Sequence, residues 1–121
     1  TQVARSYKQI ELAGQGRSEL VISLYDTLIA QLRRARHATK IKDISSRGDA
    51  VATVLDLLGE LRQSLDFDRA PDLATELNQF YLHATQEVLL AHGRADEDGF
   101  SEIVSKFVSV LEVWKEILPS P

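Results

Sequence analysis

Aliphatic residues recur every third or fourth position through four successive stretches of this chain, and nowhere do they alternate with period two over a useful length. That pattern puts an apolar stripe on each of four helices and gives a sheet no support. Leu20, Leu24, Leu28, Leu32 and Ala35 set the first stripe and predict a helix over 17–41, with Gly16 at its N-cap and Glu19 at the capping-box position. Val51, Val54, Leu55, Leu58, Leu61 and Leu65 predict a second helix over 43–65. Within it, Gly48 and Gly59 each cost about 1 kcal/mol relative to alanine, so they mark a close helix approach or a loose turn. Pro71 fits the first position of a third helix, traced by Leu73, Leu77, Phe80, Ala84, Val88 and Ala91 and ending at Gly93. Residues 93–99 read as a polar loop. Phe100, Ile103, Val104, Phe107, Leu111, Trp114 and Leu118 then mark the fourth helix, which Pro119 stops.

Short connections between helices of this length make neighbours run in opposite directions, so the expected fold is all-α: an antiparallel up-and-down four-helix bundle. The expected organisation is an arm over 1–16, a bundle over 17–118 and a tail over 119–121. The arm carries Tyr7, Ile10 and Leu12, which suits packing on the bundle. A chain of 121 residues supports a single core.

Composition narrows the function. The chain has no cysteine, which removes disulfides, thiolate metal sites and cysteine nucleophiles and suits the cytoplasm. No apolar run approaches the roughly 18 residues of a membrane span, and no secretory signal pattern opens the chain. A net charge of −4 is the wrong balance for covering phosphates, so no nucleic-acid partner is expected. The basic cluster Arg33, Arg34, Arg36, Lys40 and Lys42 reads as a solvated face near a helix C-terminus, where cations are favourable.

Some stripes are wider than a bundle needs. On the first helix, Ile22, Tyr25 and Ile29 extend the apolar arc to nearly half the circumference. On the fourth, Val110, Val113 and Ile117 do the same, and on the third Leu82 and Leu89 lie nearly opposite Leu73 and Ala91. Three readings fit such width: burial on more than one side, a dimer interface, or a groove for another helix. Tyr7 and Ile10 on the arm are candidates to cover part of that surface.

The chemistry of the chain is sparse. Glu76, His83 and Glu87 share one face of the third helix, but the Glu-x-x-His pairs of carboxylate-bridged metal sites are absent, so neither a metal nor another cofactor is expected. His37 and Lys40 have the His-x-x-Lys spacing of phosphotransfer bundles, with Ile41 where those proteins place a glycine. Neither a phosphate-binding glycine loop nor a nucleophile elbow occurs, and no catalytic residues are expected.

Tyr7-Lys8-Gln9-Ile10 followed by Glu19-Leu20-Val21-Ile22-Ser23-Leu24-Tyr25-Asp26 resembles the N-terminal signature of the flagellar secretion chaperone (FliS) family. Ser64-Leu65-Asp66, Asp72-Leu73-Ala74-Thr75-Glu76-Leu77 with Tyr81, and Val113-Trp114-Lys115-Glu116-Ile117 resemble its later segments in order. The chain departs from the family pattern at Gly16-Arg17, Thr27, Ala70-Pro71 and Phe80-Tyr81-Leu82-His83. The resemblance implies a cytoplasmic, non-enzymatic export chaperone that binds the C-terminal amphipathic segment of flagellin, with a further flagellar regulator or export component as a second partner. It also implies Tyr7 and Ile10 as a displaceable cover. Groove residues come from stripe width: Ile22, Tyr25 and Ile29 first, then Val110, Val113 and Ile117, then Leu82 and Leu89. The rival readings are a phosphotransfer bundle acting through His37 and a dimerising helical adaptor, and the expected state is a monomer or weak homodimer.

Overall fold

The computed structural model describes residues 17–117, which form four α-helices and no strand. Helix α1 spans Arg17–Lys40, α2 Ile44–Gln63, α3 Pro71–Arg94 and α4 Glu97–Ile117. Each helix packs on its neighbours around a closed ring in the order α1, α2, α3, α4, with α1 lying most extensively against α2 and α4. This is the expected bundle. The arm and the tail, including Tyr7, Ile10, Gly16, Leu118 and Pro119, lie outside the described residues.

Two connectors at one end of the bundle are built alike. After α1, the Lys42 N–H donates to Thr39 O at 3.2 Å and the Asp43 N–H to Ala38 O at 2.8 Å. After α3, the Ala95 N–H donates to His92 O at 3.3 Å and the Asp96 N–H to Ala91 O at 2.9 Å. Both are the paired closing bonds that end a helix at a left-handed residue, here Lys42 (φ 61) and Ala95 (φ 51). Each is followed at once by an aspartate that caps the next helix. Asp43 Oδ1 accepts the Ser46 N–H at 3.1 Å, and Asp96 Oδ1 accepts the Gly99 N–H at 3.0 Å. Hydrogen bonds from Ser46, first from its backbone N–H and then from its side chain, hold the Asp43 carboxyl below its usual range, with the Arg34 charge adding to the effect.

This device corrects the expected loop over 93–99. Left-handed Ala95 and the Asp96 cap need only two residues to reverse the chain, so Gly93 lies inside α3 and Gly99 inside α4. Gly99 is required for close approach: a Cβ there would stand 2.8 Å from Asp96 Oδ2 and 3.2 Å from Ala91 Cβ. Gly48 and Gly59 differ. A Cβ on either would meet nothing within 4 Å, so neither marks a close approach to another helix of the bundle. The α2–α3 connection is longer, and Asp66 orders it by accepting the N–H groups of Asp68 and Arg69, each at 3.1 Å.

Candidate functional site

The first-helix residues with the widest stripe turn inward. Tyr25 is 0% exposed and Ile29 4%, and both belong to the continuous core. The Tyr25 hydroxyl lies 2.7 Å from that of Tyr81, joining α1 to α3. Its ring meets Tyr81 and Trp114 edge-on, with centroids 6.4 and 6.0 Å away, and Phe107 at 5.7 Å. Phe80 completes the cluster against Phe107 at 5.0 Å. Buried tyrosines need a partner for the hydroxyl, and these two supply one to each other. Tyr25 and Ile29 are both enclosed by the core cluster, with Tyr25 contacted from α3 and from α4. Sequence periodicity passed over Tyr81 in favour of Phe80, which is only half-buried. A tyrosine on the first helix with another on the third was the available signal.

The remaining candidates divide by exposure. Ile22 and Val110 are half-buried and packed against the core, and Val113 is half-buried. Ile117 is the last residue of α4. Leu82 and Leu89, by contrast, are 38% and 50% exposed. They stand just outside the seam between α2 and α3, whose line is marked by two polar links between the helices. Arg62 Nε donates to Asn78 Oδ1 at 3.0 Å, and Arg47 Nε to His92 Nδ1 at 3.1 Å.

At about 100° per residue, Leu82 and Leu89 lie about 20–40° beyond Asn78, away from the core. On the facing helix, half-buried Leu55 and the open glycines Gly48 and Gly59 lie about 20–60° beyond Arg62. The result is a shallow outer face between α2 and α3. Its leucines stand on one wall, and the other wall lacks side chains at two points. Polar links bound its two ends. Sequence reading singled out Leu82 and Leu89 but took Leu55 as part of the second helix's stripe and Gly48 and Gly59 as marks of a close helix approach or a loose turn, because only the Arg62 and Arg47 bonds show which way α2 is turned.

Nothing comparable in chemistry surrounds the charged groups. Glu87 is taken up by Lys106 at 2.8 Å and His83 at 3.5 Å. No group of three potential metal ligands occurs among the described residues. His37 is exposed on the last turn of α1, amid Arg33, Arg34 and Lys40. A depression of ≈ 150 Å³ beside the α3–α4 connector is lined by Glu87, Arg94, Asp96 and Glu102 over Leu90 and Ile103, and none of the expected partner-binding residues reaches it. Among the described residues, no helix is long and apolar enough to cross a membrane.

The chain is 26% identical over 102 residues to the flagellar secretion chaperone FliS of Salmonella typhimurium, covering 84% of this chain and 76% of that protein. It is 26% identical over 112 residues to the FliS chaperone of Campylobacter jejuni, covering 93% and 88%. The Pseudomonas aeruginosa chaperone FliSB is 23% identical over 117 residues, covering 93% of each. The family described as flagellar protein FliS matches residues 1–121, and the chain belongs to that family of flagellar secretion chaperones.

Proposed function

We propose that this chain is a cytoplasmic, non-enzymatic chaperone that holds the C-terminal amphipathic helical segment of flagellin until export, and that the outer α2–α3 face is part of the holding surface. The observation that carries the site is the pair of exposed leucines, Leu82 and Leu89, beside a helix wall left open at Gly48 and Gly59. Folding alone gains nothing from that arrangement. Each glycine costs its helix about 1 kcal/mol relative to alanine. The missing Cβ atoms instead let a foreign helix come close, and the leucines give its apolar side a partner.

The physics suits a carrier. A client segment that is disordered when free loses conformational entropy on docking, which keeps affinity moderate for the area buried and lets the export machinery remove it. While docked, its apolar stripe is unavailable to other flagellin molecules. Half-buried Ile22, Val110 and Val113 extend the proposed surface where a long client passes the other seams, and Ile117 is carried with them as an end-of-helix candidate. Tyr25 and Ile29 act in this reading as the core that fixes helix spacing. Tyr7 and Ile10 remain the proposed displaceable cover.

The test is calorimetric titration with the C-terminal segment of the cognate flagellin, repeated with Leu82→Asp and Leu89→Asp. Both positions are on the surface, so the melting temperature should stay close to that of the parent while affinity falls by about tenfold or more, as for a lost apolar anchor. Undiminished binding by both variants removes this face from the site. No binding by the parent chain removes flagellin as the client.

A further inference from the structure

The α1–α2 connector carries features that its own geometry does not need. Ile41 and Ile44, on either side of the turn, are 56% and 68% exposed. Between them Lys42 adopts a left-handed conformation that costs a side-chain-bearing residue about 1–2 kcal/mol and that glycine would adopt freely. The α3–α4 connector is an internal control. It has the same closing bonds and the same aspartate cap, to within 0.1 Å in each length, yet Arg94 and Glu97 stand where the first connector has Ile41 and Ile44. Isoleucine at those positions is therefore no requirement of the turn.

The surroundings are cationic. Arg34 and His37 share the outward face of the last two turns of α1, and exposed Ile41 follows directly after its end. Arg33, Arg34, Lys40 and Lys42 are all exposed, and none has a carboxylate within 4.0 Å among the described residues. Arg34 donates to the Gln31 side-chain Oε1 at 3.4 Å, and its charge also acts on the Asp43 carboxylate. The helix dipole accounts for cations in the last turn but not for the two isoleucines beside them.

We propose that the tip formed by Arg34, His37, Lys40, Ile41, Lys42 and Ile44 is a second docking surface, taking an acidic segment of another protein that carries aliphatic residues among its carboxylates. Charge complementarity selects the acid, and the isoleucines select an apolar residue within it. A flat anionic membrane fits less well. Asp96, Glu97 and Asp98 are exposed on the sister connector at the same end of the bundle, and a surface broad enough to meet Lys40 and Lys42 would meet them too. A second copy fits less well because the end of a four-helix bundle offers about 400 Å² per copy, short of the roughly 1,000 Å² in total that a specific interface needs. A narrow peptide avoids both objections.

The experiment follows amide shifts of the ¹⁵N-labelled chain on adding a synthetic hexapeptide of glutamates with two leucines. Its lysine–leucine counterpart is the control. Saturable shifts confined to 34–47, absent with the lysine peptide and weakened by about tenfold or more in Lys40→Glu/Lys42→Glu and by less in Ile44→Ser, are expected. The same charge-reversed variant should melt like the parent and keep its affinity for flagellin, yet export less flagellin in cells that lack their own copy. Absent shifts, or shifts centred on Leu82 and Leu89, overturn the proposal. So do binding to phosphatidylglycerol vesicles in place of the peptide, and a concentration-dependent dimer abolished by the reversal. Loss of flagellin affinity in that variant also overturns it, because the tip would then be part of the client site.

Discussion

Helix α3 treats its apolar residues in opposite ways on two sides. Tyr81, Ala84 and Val88 face inward and are nearly or wholly buried, with Tyr81 tied into the aromatic cluster of Tyr25, Phe107 and Trp114. One turn away in direction, Leu82 and Leu89 face the outer side of α2 and remain substantially exposed beside glycines that meet nothing. The first region is filled and the second is left open. A chaperone needs both, because an apolar face can stay open to a client only if a separate core keeps the helices apart without it. The segments that carry the resemblance to the family fall mainly in the first region: Tyr25, Tyr81 and Trp114 are hub residues. The proposed client-binding face has to be read from exposure.

The strongest challenge to this contrast is Trp114→Ala. Trp114 is 0% exposed and packs edge-on against Tyr25, so its removal opens the hub rather than trimming a surface. A loss of about 3–5 kcal/mol is expected in denaturant unfolding. A loss near that of an ordinary surface substitution would show that the hub does not set the frame.

A smaller effect is expected from the hydroxyl pair. Tyr25→Phe and Tyr81→Phe should each cost about 0.5–1.5 kcal/mol, since each removes one side of the hydroxyl bond between the two rings. If the 2.7 Å bond couples them, the double variant costs less than the two together by about 0.5 kcal/mol or more. Strict additivity would mean that the rings contribute by packing alone. Neither change should alter client affinity beyond its effect on stability.

The bundle was legible in the sequence because each stripe repeats with the helical period, and each of the six helix ends between Lys40 and Glu97 fell within a few residues of its place. The α3–α4 connector was not. Residues 93–99 hold two glycines and three acids and read as a loop, yet left-handed Ala95 and capping Asp96 make the reversal in two residues, a geometry that composition does not report. The site was legible only in part. Width of the stripe on α1 comes equally from a groove or from burial on several sides, and periodicity alone did not show that Tyr25 meets Tyr81 and Trp114. Leu82 and Leu89 were visible as residues opposite a core stripe. Their neighbours Gly48 and Gly59 were visible as a cost that marks a close approach or a loose turn, and a single helix does not say what stands next to it.

Those glycines supply the mildest and most discriminating perturbation. Gly59→Ala adds one methyl group where nothing beyond its chain neighbours and its own helix backbone lies within 4 Å, so the helix gains propensity and loses no contact. Chemical denaturation should show a gain of up to about 1 kcal/mol. A loss would mean that the outer side of α2 is already occupied. The same methyl group stands where the proposed client helix would come close, so affinity for the flagellin segment should fall even as the chaperone becomes more stable. Those opposite signs separate the two regions, since in the hub stability and binding competence decline together. A variant that gains stability and binds as before would place the client elsewhere on the bundle, with Leu82 and Leu89 as ordinary surface leucines.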